Sequence, residues 1–189
     1  MKPHEAEHLD QITSIAFQDN PMMKTIYQTD GTELLKNLEN FFRGLFTDMP
    51  LETYVAELDG KVIGYIRSGP CTGDWNGRTC SEKEYDYIIK QKIEDLSIEQ
   101  RWKWVNKISD MNDLSSPHSH VGPIIVLPEL QRKGIGTLLM KDYLARLGDA
   151  VSFLETFQMP NVRFYEKNGY YVVDTEIVLG VKGYWMKRG

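Results

Sequence analysis

Basic charge is in short supply in this chain. Its 22 Lys and Arg stand against 27 Asp and Glu, a formal net charge of −5. No basic stripe interrupts that balance, which argues against a nucleic-acid partner, because binding to a phosphate backbone is carried by clustered Lys and Arg. Cysteine is scarcer still. Cys71 and Cys80 are the two in 189 residues; they flank a glycine-containing loop, lack metal-ligand spacing and read as reduced thiols rather than a disulfide framework. No apolar run reaches the length that spans a bilayer, and the polar start from Met1 to Asp10 has no secretory signal character. A cytoplasmic protein without a membrane partner is therefore expected. Repeats and low-complexity tracts are missing too, and with 41% hydrophobic residues the chain is expected to form one domain over residues 1–189.

What is present is an alternation of helical and strand patterns. Residues 4–18 predict a first helix that stops near Asn20-Pro21, and residues 33–46 a second with Leu34, Leu38, Phe42 and their neighbours on one face. Residues 53–58 and 62–68 predict strands joined by Asp59-Gly60, a type I′ hairpin signal. The stretch 82–111 is helix-rich. Residues 120–126 and 151–156 read as strands, with a helix over 134–147 between them and Gly148 as its C-terminal cap. A short helix over 161–168 capped by Gly169 and a strand pair at 170–179 and 183–187 complete the pattern. Pro123 stands inside an apolar strand, where it removes a ladder donor, so the strand should part from a neighbour there.

The segment V-L-P-E-L-Q-R-K-G-I-G-T from Val126 to Thr137 is the most informative. Unpaired N–H groups at a helix start sit at the positive end of its dipole and form an anion site when a tight turn gathers them. Gly134 and Gly136 let a ligand approach where a Cβ would block it, and Arg132 and Lys133 put two cations beside the turn. An ordinary strand-to-helix turn is the plain alternative. A P-loop is excluded because Lys133 precedes Gly134 and no Lys-Ser/Thr pair follows the last glycine; a dinucleotide fingerprint is excluded because its third glycine position holds Leu139.

What remains, Gln131-x-x-Gly134-x-Gly136 after a strand, resembles the acyl-CoA-binding motif of the GNAT N-acetyltransferase superfamily. The later segment L-E-T-F-Q-M-P-N-V-R-F-Y-E-K-N-G-Y, Leu154 to Tyr170, is similar to the second signature of that family. A-F-Q-D-N-P-M-M near the start and G-Y-W-M-K-R near the end are similar to its small-molecule branch. The resemblance covers most of the chain and is least specific over residues 70–116. One departure stands out, because only Met1 to Pro3 remains for an edge strand ahead of the first helix.

The resemblance implies an α/β fold: a mixed, mostly antiparallel central sheet flanked by helices, with two central strands splayed apart. It implies acetyl-CoA as co-substrate, with the backbone of Ile124, Ile125 and Val126 bonding the pantetheine arm. Gln131, Arg132, Lys133, Gly134, Ile135, Gly136, Thr137 and Asn161 would bind the rest. It implies an acetyl group moved to a primary amine, on a small molecule, by direct attack through a tetrahedral intermediate. Tyr165 matches the acid of the family, since a phenol is a proton donor at neutral pH, while Phe164 beside it looks like the packing residue. His120, with His118 as an alternative, is the expected base. Glu155 either holds an ammonium group or satisfies backbone donors, and Asn161 either caps its helix or bonds the cofactor.

No metal is expected, although H-E-A-E-H, His4 to His8, fits the HExxH zinc-hydrolase pattern; such a helix must lie buried under a cleft, and this one is polar all round. A non-catalytic acyl-CoA-binding module is the other alternative. The expected partner is a small-molecule amine; a homodimer is allowed by the sequence but not required by it.

Overall fold

The computed structural model describes residues 9–48, 51–72, 93–112 and 116–189. The HExxH motif, the three residues left for an N-terminal edge strand, Cys80 and the first part of the helix-rich stretch lie outside them.

Three helices open the chain: α1 (Leu9–Phe17), α2 (Pro21–Tyr27) and α3 (Gly31–Asp48). The second is an addition to the sequence-based expectation. Asn20 ends α1 and at once caps α2: its side-chain oxygen accepts from the N–H of Met22 at 2.9 Å and of Met23 at 3.3 Å, with Pro21 at the first helical position. Helix α3 buries Leu34, Leu38 and Phe42, a spacing of four that keeps one stripe against the core.

β1 (Glu52–Leu58) and β2 (Lys61–Cys71) follow as an antiparallel hairpin. Asp59 and Gly60 take φ values of 51° and 73°, the double left-handed turn that the Asp-Gly pair predicts. A short 3₁₀ turn (Ile93–Asp95) leads to α4 (Ile98–Asn112). Then come β3 (His118–Val126), a 3₁₀ turn (Pro128–Leu130), α5 (Ile135–Leu147), β4 (Ser152–Thr156), α6 (Met159–Glu166), β5 (Tyr171–Val178) and β6 (Val181–Arg188).

The six strands form one mixed open sheet in the order β1-β2-β3-β4-β6-β5; β3 and β4 are its parallel pair and every other pairing is antiparallel. On one face, Leu139, Met140 and Tyr143 of α5 and Val162 and Tyr165 of α6 pack on Ile66, Val121, Leu154 and Met186. In a second cluster, Met22 and Ile26 of α2 and Val105 and Ile108 of α4 pack on Phe153, Val178 and the fully buried Trp185. Helices α1 and α3 supply two further clusters, around Tyr65 and Ile125 and around Leu34 and Phe42.

The feature that makes a site is where this sheet fails to close. β3 and β4 pair at two rungs, Ser119 with Ser152 and His120 with Phe153, and then part. Against β2, Ile66 pairs with Ile124 but Ser68 pairs with Val121, so two residues of β3 oppose Arg67 alone. Gly122 and Pro123 absorb the extra residue, as a strand proline requires. The bulge resets the alternation of side chains: Val121 and Ile124 both face α5 and α6, and Ile125 turns to the α1 cluster. The parting expected from Pro123 is present.

A chain of hydroxyls pins the closed end. Tyr143 Oη donates to Ser119 Oγ at 2.9 Å, lies 2.9 Å from Ser152 Oγ, and Ser152 Oγ lies 2.6 Å from Tyr170 Oη.

Candidate active site

Beyond the last rung, the backbone of β3 faces an open gap. Leu127 N–H donates back to Ile63 of β2 at 3.0 Å, so by the alternation of a strand the main-chain groups of Val126 and Ile124 point the other way, into the gap. The side-chain amide of Gln131 reaches one of them, donating to the Val126 carbonyl at 3.1 Å.

The turn that follows is a concave arrangement of backbone donors. Arg132 and Gly134 have φ values of 61° and 88°, both left-handed. Gly134 is the N-cap of α5, and no side chain caps that end. The first amides of α5 therefore keep the orphan donors and the positive dipole end that favour an anion. A Cβ added to Gly134 would stand in open space, so the glycine is required by its backbone conformation and leaves the front of the cradle clear. Around the turn lies an open groove of about 300 Å³, lined by Ile124, Val126, Gln131, Arg132, Gly134, Gly136, Thr137, Asn161 and Phe164.

Eight of the expected binding residues thus meet at one groove. Ile125, Lys133 and Ile135 do not line it: Ile125 is buried on the opposite face, and Ile135 packs against the α5 and α6 core. The capping alternative for Asn161 is corrected. α6 begins at Met159 with Gln158 as its N-cap, placing Asn161 within the first turn, where its amide donates to Thr156 Oγ1 at 3.2 Å. Pro160, one residue inside the helix, moved the start earlier than the Asn reading suggested.

Phe164 and Tyr165 both pack on the α5 and α6 core. Phe164 is the half-buried groove wall, whereas Tyr165 is 7% exposed and belongs to the core cluster, its ring 5.8 Å from that of Tyr170. Tyr165 takes no part in the hydroxyl chain that engages Tyr143 and Tyr170. Burial first, then the charges of Tyr170 and Glu155, push its hydroxyl well above the ordinary phenol range. It is a protonated donor at any neutral pH.

At the apex of the gap, His120 Nε2 lies 3.0 Å from Glu155 Oε2, with the two side chains 37% and 29% exposed. Burial raises the Glu155 carboxyl, but the charge and hydrogen bond of His120 outweigh it, so the group is held below the usual carboxylate value and is ionised. The ring of Phe153 sits beneath both histidines, 5.5 Å from His118 and 6.1 Å from His120. His118 itself is buried, with Nδ1 2.8 Å from the Ser116 carbonyl. The pairing of Glu155 with His120 was not legible beforehand, because it depends on the two strands being neighbours at that rung and diverging after it.

A glycine turn before an uncapped helix, beside a parted strand, is matched by a family model: the acetyltransferase (GNAT) family model fits residues 12–170. The chain belongs to that family. It is an acetyltransferase by membership, and solved GNAT structures share its fold. One is a histone acetyltransferase and related acetyltransferase from Corynebacterium glutamicum, 13% identical over 100% of this chain and 92% of that one, with a TM-score of 0.69. Arylalkylamine N-acetyltransferase 2 from Aedes aegypti is 15% identical over 100% and 95%, with a TM-score of 0.62. The Drosophila melanogaster polyamine N-acetyltransferase, which forms N-acetylagmatine, is 12% identical over 97% and 95%, with a TM-score of 0.61. No curated protein matches the chain significantly by sequence.

Among the described residues no helix is long and apolar enough to cross a membrane.

Proposed function

We propose that this GNAT chain transfers an acetyl group from acetyl-CoA to a primary amine on a small molecule, as a single domain over residues 1–189 in the cytoplasm. The observation that carries the reading is the uncapped, glycine-opened start of α5 beside the unpaired edge of β3. Backbone amides of the turn would hold the pyrophosphate, with Arg132 and Lys133 adding positive charge; the main chain of Ile124 and Val126 would bond the pantetheine arm. Acetyl-CoA supplies an activated acetyl thioester, open to direct attack through a tetrahedral intermediate.

The residues of the chain provide the proton transfers. His120, at the apex of the gap, takes the proton of the attacking amine, and Tyr165 gives one to the departing thiolate. An ionised carboxylate at the apex suits an acceptor that arrives as an ammonium ion, and two of the similar structures are enzymes of arylalkylamines and of polyamines. The small-amine reading rests on those two enzymes, since the carboxylate suits any ammonium, that of a protein N-terminus included.

The test is thiol release from acetyl-CoA with a panel of arylalkylamines, polyamines and short peptides. Turnover on one of the small amines is expected; turnover on peptides alone would overturn the acceptor, and none at all the activity.

A further inference from the structure

We infer that Glu155 is a positioning residue for His120, fixing its tautomer and raising its affinity for the proton that the acceptor amine gives up. The inference rests on the reading of His120 as the base.

Place is the first argument. The last backbone rung between β3 and β4 is His120 with Phe153, and Glu155 lies two residues further along β4, where the strands no longer pair. Its carboxylate reaches back over the opening gap to His120 Nε2 at 3.0 Å. Two residues apart on a strand means the same face, so Glu155 shares the side of the sheet that carries Phe153. The ring of Phe153 stands edge-on to that of His120, with centroids 6.1 Å apart.

Chemistry is the second. A neutral imidazole that donates its Nε2 proton to Glu155 carries its lone pair on Nδ1. When the amine proton arrives there, the ring becomes an imidazolium facing a carboxylate, and a hydrogen bond already charge-assisted on the acceptor side gains the attraction of two opposite charges. Glu155 therefore favours the state that exists after proton transfer more than the state before it, which is how an orienting carboxylate assists a catalytic histidine.

On the same strand as His120, His118 stands 6.4 Å away, ring to ring, with its Nδ1 at the Ser116 carbonyl. From β2 the residue opposite His120 is Gly69, which is uncharged. From α6, Tyr165 lies in the field of Glu155 as a neutral phenol. A purely structural role, in which the pair clips two strands together, would also move the His120 midpoint, but it predicts no shift in the acid limb of kcat/KM and an undiminished effect of the substitution in a His120→Gln background.

The experiment is the Glu155→Gln variant, read by NMR titration of the His120 ring and by the pH profile of kcat/KM for the amine. The pair is part-exposed, so loss of the carboxylate should lower the His120 midpoint by about 0.5–1 pH unit, moving the acid limb of the profile down equally. The KM for acetyl-CoA should stay unchanged. In a His120→Gln background, Glu155→Gln should add no further loss of rate. Glu155→Asp, which keeps the charge, should bring the midpoint back toward the wild type and guards against misfolding of the first variant. An unchanged NMR midpoint in Glu155→Gln would overturn the inference whether or not the wild type turns over. An equal loss of rate in the His120→Gln background would also overturn it, because Glu155 would then act on the amine directly. Absence of acetyl transfer in the wild type is a different failure, that of the proposed function, and leaves the NMR midpoint to report on the pair.

Discussion

The hydroxyl of Tyr170 lies 2.6 Å from that of Ser152, and the same serine oxygen is 2.9 Å from Tyr143 Oη. Ser152 is the first residue of β4 and pairs with Ser119 of β3, so the chain of hydroxyls sits where the two strands are still joined. Tyr143, Ser152 and Tyr170 are buried and Ser119 half-buried, and in such surroundings an unmade hydrogen bond costs more than a made one contributes. Tyr143→Phe removes the group that bridges both serines. A loss of about 1–2 kcal/mol is expected in denaturant unfolding. A midpoint unchanged from the wild type would mean that the chain of hydroxyls adds nothing to closing the strands.

Tyr165→Phe deletes one hydroxyl from a buried ring and leaves the groove lining intact, since Tyr165 is not among the residues around it. A fall of about 10²-fold or more in kcat is expected, with acetyl-CoA affinity held within a factor of about two. Unchanged turnover would remove Tyr165 from the mechanism and leave it as a core aromatic.

Tyr65, Tyr165 and Tyr170 all have hydroxyls pushed well above the ordinary phenol range, in each case first by burial. The folded state binds these protons more tightly than the unfolded state. The associated stability is fully present below the ordinary value of about 10 and is lost as pH rises through the raised folded values. In a spectrophotometric titration these three should ionise together with cooperative unfolding, after the exposed tyrosines. Smooth ionisation of all ten tyrosines near pH 10, with the fold retained, would contradict their burial.

Asn20→Ala should cost about 1 kcal/mol, because it leaves the N–H groups of Met22 and Met23 without their shared acceptor. Urea unfolding measures it. An effect no larger than that of an exposed Asn→Ala substitution would show that α2 is held by its buried face alone.

That same residue shows where sequence and structure part. Asn20-Pro21 is legible as a helix stop, but a cap followed by proline is equally a helix start, and seven residues are too few for hydrophobic periodicity to declare α2. The hairpin at Asp59-Gly60 and the helix from Ile135 to Leu147 were legible because their turn residues must adopt conformations that other residues resist. The glycine turn ahead of that helix was legible for the same reason: Gly134 carries its own backbone requirement. Phe164 and Tyr165 were not separable, since which of two adjacent helix residues faces the groove depends on the roll of α6 against β4. Asn161 stood open between a cap and a cofactor contact, because nothing local shows that Pro160 occupies the first turn and moves the cap to Gln158. The pairing of His120 with Glu155 arises from tertiary geometry with no local signal, although both residues stood out for their chemistry.

The most direct measurement is calorimetric titration with acetyl-CoA of the wild type and of Gly134→Glu, which sets a charged side chain at a left-handed position opening on the cradle. Stoichiometric binding by the wild type, weakened at least about 100-fold in a variant that remains folded, is the expected result. A folded wild type that binds no acetyl-CoA, or a variant that binds it equally well, would contradict the assignment of this turn as the cofactor cradle.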